Sequence, residues 1–383
     1  MLSWWENSYG INFPKLGIYL KHVPRGITVF GFNIAFYGVI IAIGMVAGLL
    51  LARKNAKRTG QNPDLYSDFA LIAIPLSVVG ARLYSVIFEW DSYKDNLLQI
   101  FNLRNGGLAI YGGVIVAFTS AYVYARVKKI NPFVMMDTAI VGLILGQLIG
   151  RWGNFFNREC FGKFTNSLFA MQIPTAEPSL SSYFKPDIIS DARLAEIYAG
   201  KDRALAGIME IRNNLVAGSD GMTYVQVQPT FLYESVWNLI LLILMYVFWR
   251  KKKFNGEVGL WYLFGYGLGR LWIEGLRTDQ LFLWNTGIAV SQLLSGILAV
   301  ASAAAIIFFR MRAKKLGTKP LYCEPVNVST GVAESESVDA SESGPERESV
   351  DASESGSESE SVDAPESGSE SEPAVEEGDK DEV

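Results

Sequence analysis

Apolar residues in this chain gather into seven long runs instead of recurring at every second or fourth position. The runs are Phe30–Leu51, Phe69–Phe88, Gly107–Ala125, Phe133–Gly153, Phe231–Trp249, Val258–Ile273 and Leu281–Phe309. Each is near the length of roughly 20 residues that carries an α-helix across a hydrocarbon core. Backbone polar groups at that depth must be satisfied within the chain, so each run is expected to be helical. The pattern predicts an all-α polytopic membrane protein with seven transmembrane helices and a small extracytoplasmic subdomain. The first, third and last runs carry no charge, whereas Arg82, Asp137, Arg151, Glu234 and Arg270 interrupt the others.

The polar stretches between the runs differ in charge. Basic clusters follow the first, third, fifth and seventh runs: Arg53, Lys54, Lys57 and Arg58; Arg126, Lys128 and Lys129; Arg250 to Lys253; and Arg310, Arg312, Lys314 and Lys315. The short connections on the other side hold only Lys94, Arg104 and Arg277. The excess of Lys and Arg on cytoplasmic loops then puts the N-terminus outside and the C-terminus in the cytoplasm. Residues 1–29, with Trp4, Trp5, Phe13 and Tyr19, are expected to lie along the outer interface. Residues 30–154 hold the first four helices and 229–315 the last three. The intervening segment 155–228 is too long for a turn and too polar for a span, and forms the outer subdomain. A helix is expected within it at Asp191–Tyr198, beside the stretch Ala204–Asn213.

The net charge of −5 conceals two opposed parts. From Val332 onward there are 19 acidic and 2 basic residues, leaving 32 basic against 20 acidic in the remainder. Within the tail, 316–383, Glu336–Gly344 recurs as Glu348–Gly356 and, with Pro365 replacing a serine, as Glu360–Gly368. Such Ser/Glu/Asp sequence buries too little apolar area to offset its ordering entropy, so a disordered cytoplasmic tail is expected. Cys160 and Cys323 fall on opposite sides of the membrane in this topology and should not pair. One histidine and no closely spaced cysteines exclude the usual metal-ligand clusters.

Chemistry concentrates at Gly150-Arg-Trp-Gly-Asn-Phe-Phe-Asn-Arg-Glu-Cys-Phe-Gly162, where the fourth run meets the membrane surface. Polar groups at that depth cost several kcal/mol unless compensated, and commonly mark a substrate site; an interfacial anchor with Arg151 reaching toward headgroups is the plainer alternative. Other polar signatures sit at the same end of the runs. Tyr37 lies early in the first, and Gly106–Gly113 brackets Tyr111 with two glycine pairs. Gln228-Pro-Thr-Phe-Leu-Tyr-Glu234 opens the fifth. Tyr266, Arg270 and Glu274 recur every fourth residue and share a helical face. Arginines within an apolar bundle need anions, which Glu159, Glu234 and Glu274 or a lipid phosphate would supply; a bidentate guanidinium suits phosphate. Glycines at 112, 113 and 267 are expected to leave gaps for lipid access.

These residues resemble a known family. Gly150–Gly162 is similar to the Gly-Arg-x-Gly-Asn-Phe-x-Asn-x-Glu-x-x-Gly signature of the bacterial prolipoprotein diacylglyceryl transferases. The resemblance extends in order through Tyr37-Gly38, Gly106–Gly113, Pro229–Glu234 and Tyr266-Gly-x-x-Arg270. It implies an enzyme of the bacterial cytoplasmic membrane, acting at its outer face, that moves the sn-1,2-diacylglyceryl group of phosphatidylglycerol onto a prolipoprotein lipobox cysteine. The partners implied are phosphatidylglycerol, lipobox segments and the bilayer, with no cofactor, metal or nucleic acid. By the resemblance Arg151 binds the phosphate; Asn154, Asn157, Glu159 and Gly162 shape the pocket; Tyr37, Tyr111, Tyr266, Arg270 and Glu274 complete it. One departure stands out: some relatives carry histidine where this chain has Tyr111 and Gln228, and its only histidine is His22. Intramembrane charges also suit a transporter, and the acidic tail a scaffold.

Overall fold

The computed structural model describes residues 9–103, 106–185, 187–199, 202–278, 280 and 289–317. Trp4, Trp5, Arg104, Cys323, the start of the seventh run and the acidic repeats therefore lie outside the described residues. Among the described residues, six helices are long and apolar enough to cross a membrane: α1 (Phe36–Arg58), α2 (Asp64–Phe88), α3 (Ile110–Val127), α4 (Pro132–Asn157), α8 (Thr230–Trp249) and α10 (Val290–Lys315). The sixth predicted run becomes α9 (Glu257–Glu274), an 18-residue helix carrying Glu257, Arg270 and Glu274. Three short helices, α5 (Pro178–Phe184), α6 (Asp191–Ile197) and α7 (Asp202–Asn213), fill the segment between α4 and α8.

α4 is the central element, packed against α1 on one side and α8 on the other. Its start follows from local chemistry: Pro132 needs no amide donor at the first turn, and the Asn131 side chain accepts from Phe133 N–H at 3.0 Å. The contact with α1 is antiparallel and close because small residues oppose one another. A Cβ on Gly48 would lie 2.5 Å from the Gly142 carbonyl oxygen, and one on Gly44 would lie 3.0 Å from that of Gly146. Each helix thus presents a Gly-x-x-x-Gly stripe, a device that gains backbone packing where lipid supplies no hydrophobic drive. Asp137, fully buried in α4, accepts from the Gly256 and Gly259 amides at 2.9 and 3.0 Å and pairs with Lys252. It satisfies otherwise orphaned donors at the first turn of α9.

The prediction of an all-α protein needs correction. A five-stranded antiparallel sheet joins the N-terminal segment to the predicted subdomain in the order β2-β1-β5-β7-β6. Its strands are β1 (Ile11–Phe13), β2 (Ile18–Leu20), β5 (Met171–Pro174), β6 (Val216–Ala217) and β7 (Thr223–Val227). Strands this short offer no legible alternation, and β1 meets β5 only through the fold. Phe13 is accordingly buried with Ile11, Ile173, Val225 and Val227 instead of lying at an interface, while Tyr19 is exposed. The first run also starts too early: Phe30 and Gly31 form the two-residue turn of a hairpin, β3 (Gly26–Val29) and β4 (Phe32–Ala35), both at positive φ. Apolar content alone does not separate strand from helix.

The gaps expected at Gly112, Gly113 and Gly267 are likewise absent. Gly112 and Gly113 sit against the backbone of Gly80 and Ser77 in α2. Gly267 sits against Ser295 and Ala299 of α10. These glycines draw helices together instead of parting them.

Candidate active site

Five charged side chains from three segments converge where α4 ends, α8 begins and α9 ends. Glu234, in the second turn of α8, is the hub. Its carboxylate lies 2.5 Å from Arg151 Nε, 2.9 Å from Arg270 Nη1 and 3.7 Å from Arg277 Nη1. Glu274 takes Arg270 Nη2 at 2.6 Å and stands 4.0 Å from Arg277 Nε. The two carboxylates and Arg277 are below a tenth exposed, whereas Arg151 and Arg270 keep 21% and 19% of their side-chain surface open. Among the described residues, three guanidinium groups share these two carboxylates. Guanidinium groups that share carboxylates and stay partly open suit an anion with several acceptor oxygens.

The signature after Arg151 forms a wall beside this cluster. α4 ends at Asn157, and Arg158 follows in the left-handed region at φ 54°. The turn brings Glu159 and Cys160 back to Asn154, whose Nδ2 donates to Glu159 Oε1 at 2.9 Å and lies 3.7 Å from Cys160 Sγ. Tyr37, at the start of α1, packs over Gly153, where a Cβ would meet its ring at 2.9 Å. It is close enough to Arg151, Glu159 and Cys160 to share their electrostatic field. Tyr266 stacks on Tyr262 with ring centroids 5.4 Å apart, and Tyr262 receives a hydrogen bond from Gln147. Asn157 is half-buried at the helix end and Glu159 is exposed.

Gly162 acts through packing. Its N–H donates to Gln228 O at 2.9 Å, and the next residue, Lys163, donates to Leu276 O at 2.9 Å. Thr230 Oγ1 donates to the Cys160 carbonyl. Cys160–Lys163 is thereby stitched between the start of α8 and the end of α9. A Cβ at 162 would fall 2.8 Å from Gln228 Cβ and 2.9 Å from the Leu276 carbonyl oxygen, so only glycine fits. Gln228 is a backbone partner at this seam.

Two arginines divide differently from their sequence positions. Arg158, inside the signature, turns away from the cluster: it donates to Tyr9 O at 2.7 Å and to Val23 O, and pairs with Glu177 at 3.3 Å. Burial pushes its guanidinium below the ordinary arginine value, with Glu177 opposing that shift. Arg277, read in the sequence only as a charge on a short connection, belongs to the cluster. Its positions three after Glu274 and seven after Arg270 continue one helical face, the signal by which it was legible. Tyr111 packs on Tyr84 of α2 with centroids 6.4 Å apart and is 40% exposed. Arg82 instead organises the connection before α3, donating to the carbonyls of Ile100, Gly106, Gly107, Gln99 and Asn102.

Apolar helices around a buried arginine–glutamate cluster define a multi-pass membrane protein whose polar chemistry lies at one end of the bundle. The chain belongs to the prolipoprotein diacylglyceryl transferase family, whose model matches residues 24–308. It is 36% identical over 293 residues to the phosphatidylglycerol–prolipoprotein diacylglyceryl transferase of Clostridium kluyveri, covering 76% of this chain and 99% of that one. Identity to the protein of the same name from Listeria monocytogenes is 38% over 289 residues, 76% of this chain and 90% of the relative. For Clostridium botulinum it is 40% over 272 residues, 71% and 91%.

Proposed function

We propose that this protein transfers the diacylglyceryl group of phosphatidylglycerol to the lipobox cysteine of prolipoproteins. The observation that carries this reading is the pair of partly open arginines, Arg151 and Arg270, held side by side on the Glu234 carboxylate. One phosphodiester fits their guanidinium groups. Arg151 and Arg270 bind the phosphate, and Glu234 and Glu274 hold Arg270 in place.

In the reaction the acceptor sulfur attacks the glyceryl carbon that bears the phosphate. A C–S bond forms, the C–O bond to phosphate breaks, and glycerol phosphate leaves with the bonding pair. An unperturbed thiol, with a pKa of about 8.5, is mostly protonated at neutral pH, and nearby cations favour its thiolate. The same guanidinium groups stabilise the charge that grows on the departing phosphate. Glu159, aligned by Asn154 and open to solvent, takes the thiol proton. Tyr37 borders the acceptor side and Tyr266 the donor side; Asn157 and Gly162 support the wall. Tyr111, partly exposed beside Tyr84, contacts the incoming lipid or peptide, so proton removal does not depend on a histidine there.

The wider layout follows the sequence reading: seven spans including α9, the N-terminus outside, the sheet-containing segment 155–228 on the outer side and the tail 316–383 in the cytoplasm of a bacterial cell. The test is diacylglyceryl transfer from labelled phosphatidylglycerol to a synthetic lipobox peptide, with wild type beside Arg151→Gln. Transfer by wild type and loss in the variant is expected. Equal transfer would remove Arg151 from the phosphate site, and no transfer by folded wild type would sink the enzyme reading. Removing residues 332–383 should leave the activity intact, whereas a scaffold recruiting partners through that tail would lose its role.

A further inference from the structure

At the opposite end of the bundle from the arginine–glutamate cluster lies a second polar site. α1 and α8 both pack along α4, and a cavity of about 650 Å³ opens between their C-terminal ends. Its wall includes Ile243 and Val247, both about half exposed. Its rim carries Arg58, Arg250 and Lys251, exposed cations without an acidic partner among the described residues. Asn55 also lines it and is only 3% exposed. The Tyr246 hydroxyl donates to Asn55 Oδ1 at 3.1 Å, which fixes the amide, and Asn55 Nδ2 has no hydrogen-bond partner among the described residues. A buried N–H donor without an acceptor is costly and calls for an oxygen.

We infer that this cavity binds an anionic phospholipid as a resident, untransferred ligand. Its phosphate oxygens accept from the Asn55 amide and the three rim cations, and an acyl chain lies along Ile243 and Val247. Charge complementarity selects a phosphate-bearing headgroup, and the exposed apolar wall selects a lipid over a free ion. The site is distinct from the cluster at Arg151. The opposition of Gly44 with Gly146 and Gly48 with Gly142 places Asn55 beside the stretch near Met135. That point is 16 residues before Arg151, or roughly 24 Å along α4 at about 1.5 Å per residue. A lipid held there ties α1 to α8 at the end where the Tyr246–Asn55 bond already links them. This inference does not depend on the transfer reaction or on which membrane face the site occupies.

The experiment uses the full-length protein in phosphatidylcholine nanodiscs containing phosphatidylserine, with native mass spectrometry counting the phosphatidylserine that stays bound. Wild type is expected to retain one more phosphatidylserine than the R58Q/R250Q/K251Q variant, while in a separate assay supplied with phosphatidylglycerol both transfer diacylglyceryl groups equally. At about fivefold per cation removed, the variant should bind on the order of 100-fold more weakly. Asn55→Leu should lose the same lipid with the rim intact; the surface triple variant decides the matter if that buried change impairs folding. Equal retention by wild type and the triple variant would overturn the inference. So would displacement of the lipid by millimolar inorganic phosphate, which would mark a free-phosphate site.

Discussion

Glu234 is predicted to matter more to the stability of the bundle than the arginine it anchors, because the cluster is asymmetric. Arg151 has Glu234 as its only acidic contact among the described residues, at 2.5 Å. Arg270, by contrast, keeps Glu274 at 2.6 Å if Glu234 is neutralised. Glu234→Gln therefore strands one largely buried guanidinium, and leaving a buried ion unpaired costs about 3–5 kcal/mol. Arg151→Gln leaves Glu234 with Arg270 at 2.9 Å and Arg277 at 3.7 Å, so the loss is that of one charged hydrogen bond, about 1.5–3 kcal/mol. In the double variant the stranded charge disappears, and the cost should fall short of the sum by about 1.5–3 kcal/mol. Unfolding by SDS titration in mixed micelles, followed by far-ultraviolet circular dichroism, measures all three. Additivity within about 0.5 kcal/mol would refute the pairing, as would Arg151→Gln costing more than Glu234→Gln.

Three further expectations concern other parts of the molecule. Gly48→Leu should destabilise by at least about 1–3 kcal/mol in the same titration, since its Cβ meets the Gly142 carbonyl oxygen at 2.5 Å. Gly38→Ala, with nothing within 4 Å, should stay within about 1 kcal/mol of wild type, and equal losses at the two sites would refute the packing argument. Asp137→Ala removes the acceptor of two α9 amides and strands Lys252, so a loss of about 3–5 kcal/mol is expected. The folded fraction should keep its kcat, because Asp137 lies about 21 Å from Arg151 along α4; a large kcat loss would show that the two ends communicate. In the β6–β7 turn the Tyr224 hydroxyl, with the Met222 amide, holds the Asp220 carboxyl below its ordinary value. That contribution is present above the ordinary aspartate range and is lost as pH falls through the depressed folded value. Tyr224→Phe should raise the Asp220 titration seen by carboxyl nuclear magnetic resonance, and an unmoved titration would sink the assignment.

Much of the architecture was legible because its signals are local. Among the described residues, six of the seven apolar runs correspond to helices long and apolar enough to cross a membrane, and α6 falls on the stretch expected to be helical. The one-turn spacing of Arg270 and Glu274 predicted a shared face, and the pair is an ion pair. Arg277 continued the same spacing but was hidden by lying just past the helix end. The sheet was not legible, since its strands are two to five residues long and β1 pairs with a strand some 160 residues later. The contact of Tyr111 with Tyr84 of α2 was likewise not legible, since it joins two helices across the bundle.

Run length and helical spacing are properties of the chain in one dimension, so the sequence alone determined where the long apolar helices fall, though not their ends, and which face of α9 is charged. Tertiary structure decided which charges compensate which. Glu234 serves Arg151, Arg270 and Arg277 because α4, α8 and the end of α9 meet at one point. Arg158, seven residues after Arg151, serves Glu177 and the N-terminal segment because the helix stops there in a turn with two left-handed residues, Arg158 and Cys160. Coulomb energy depends on separation in space and on burial, and neither is encoded in the spacing of residues along the chain.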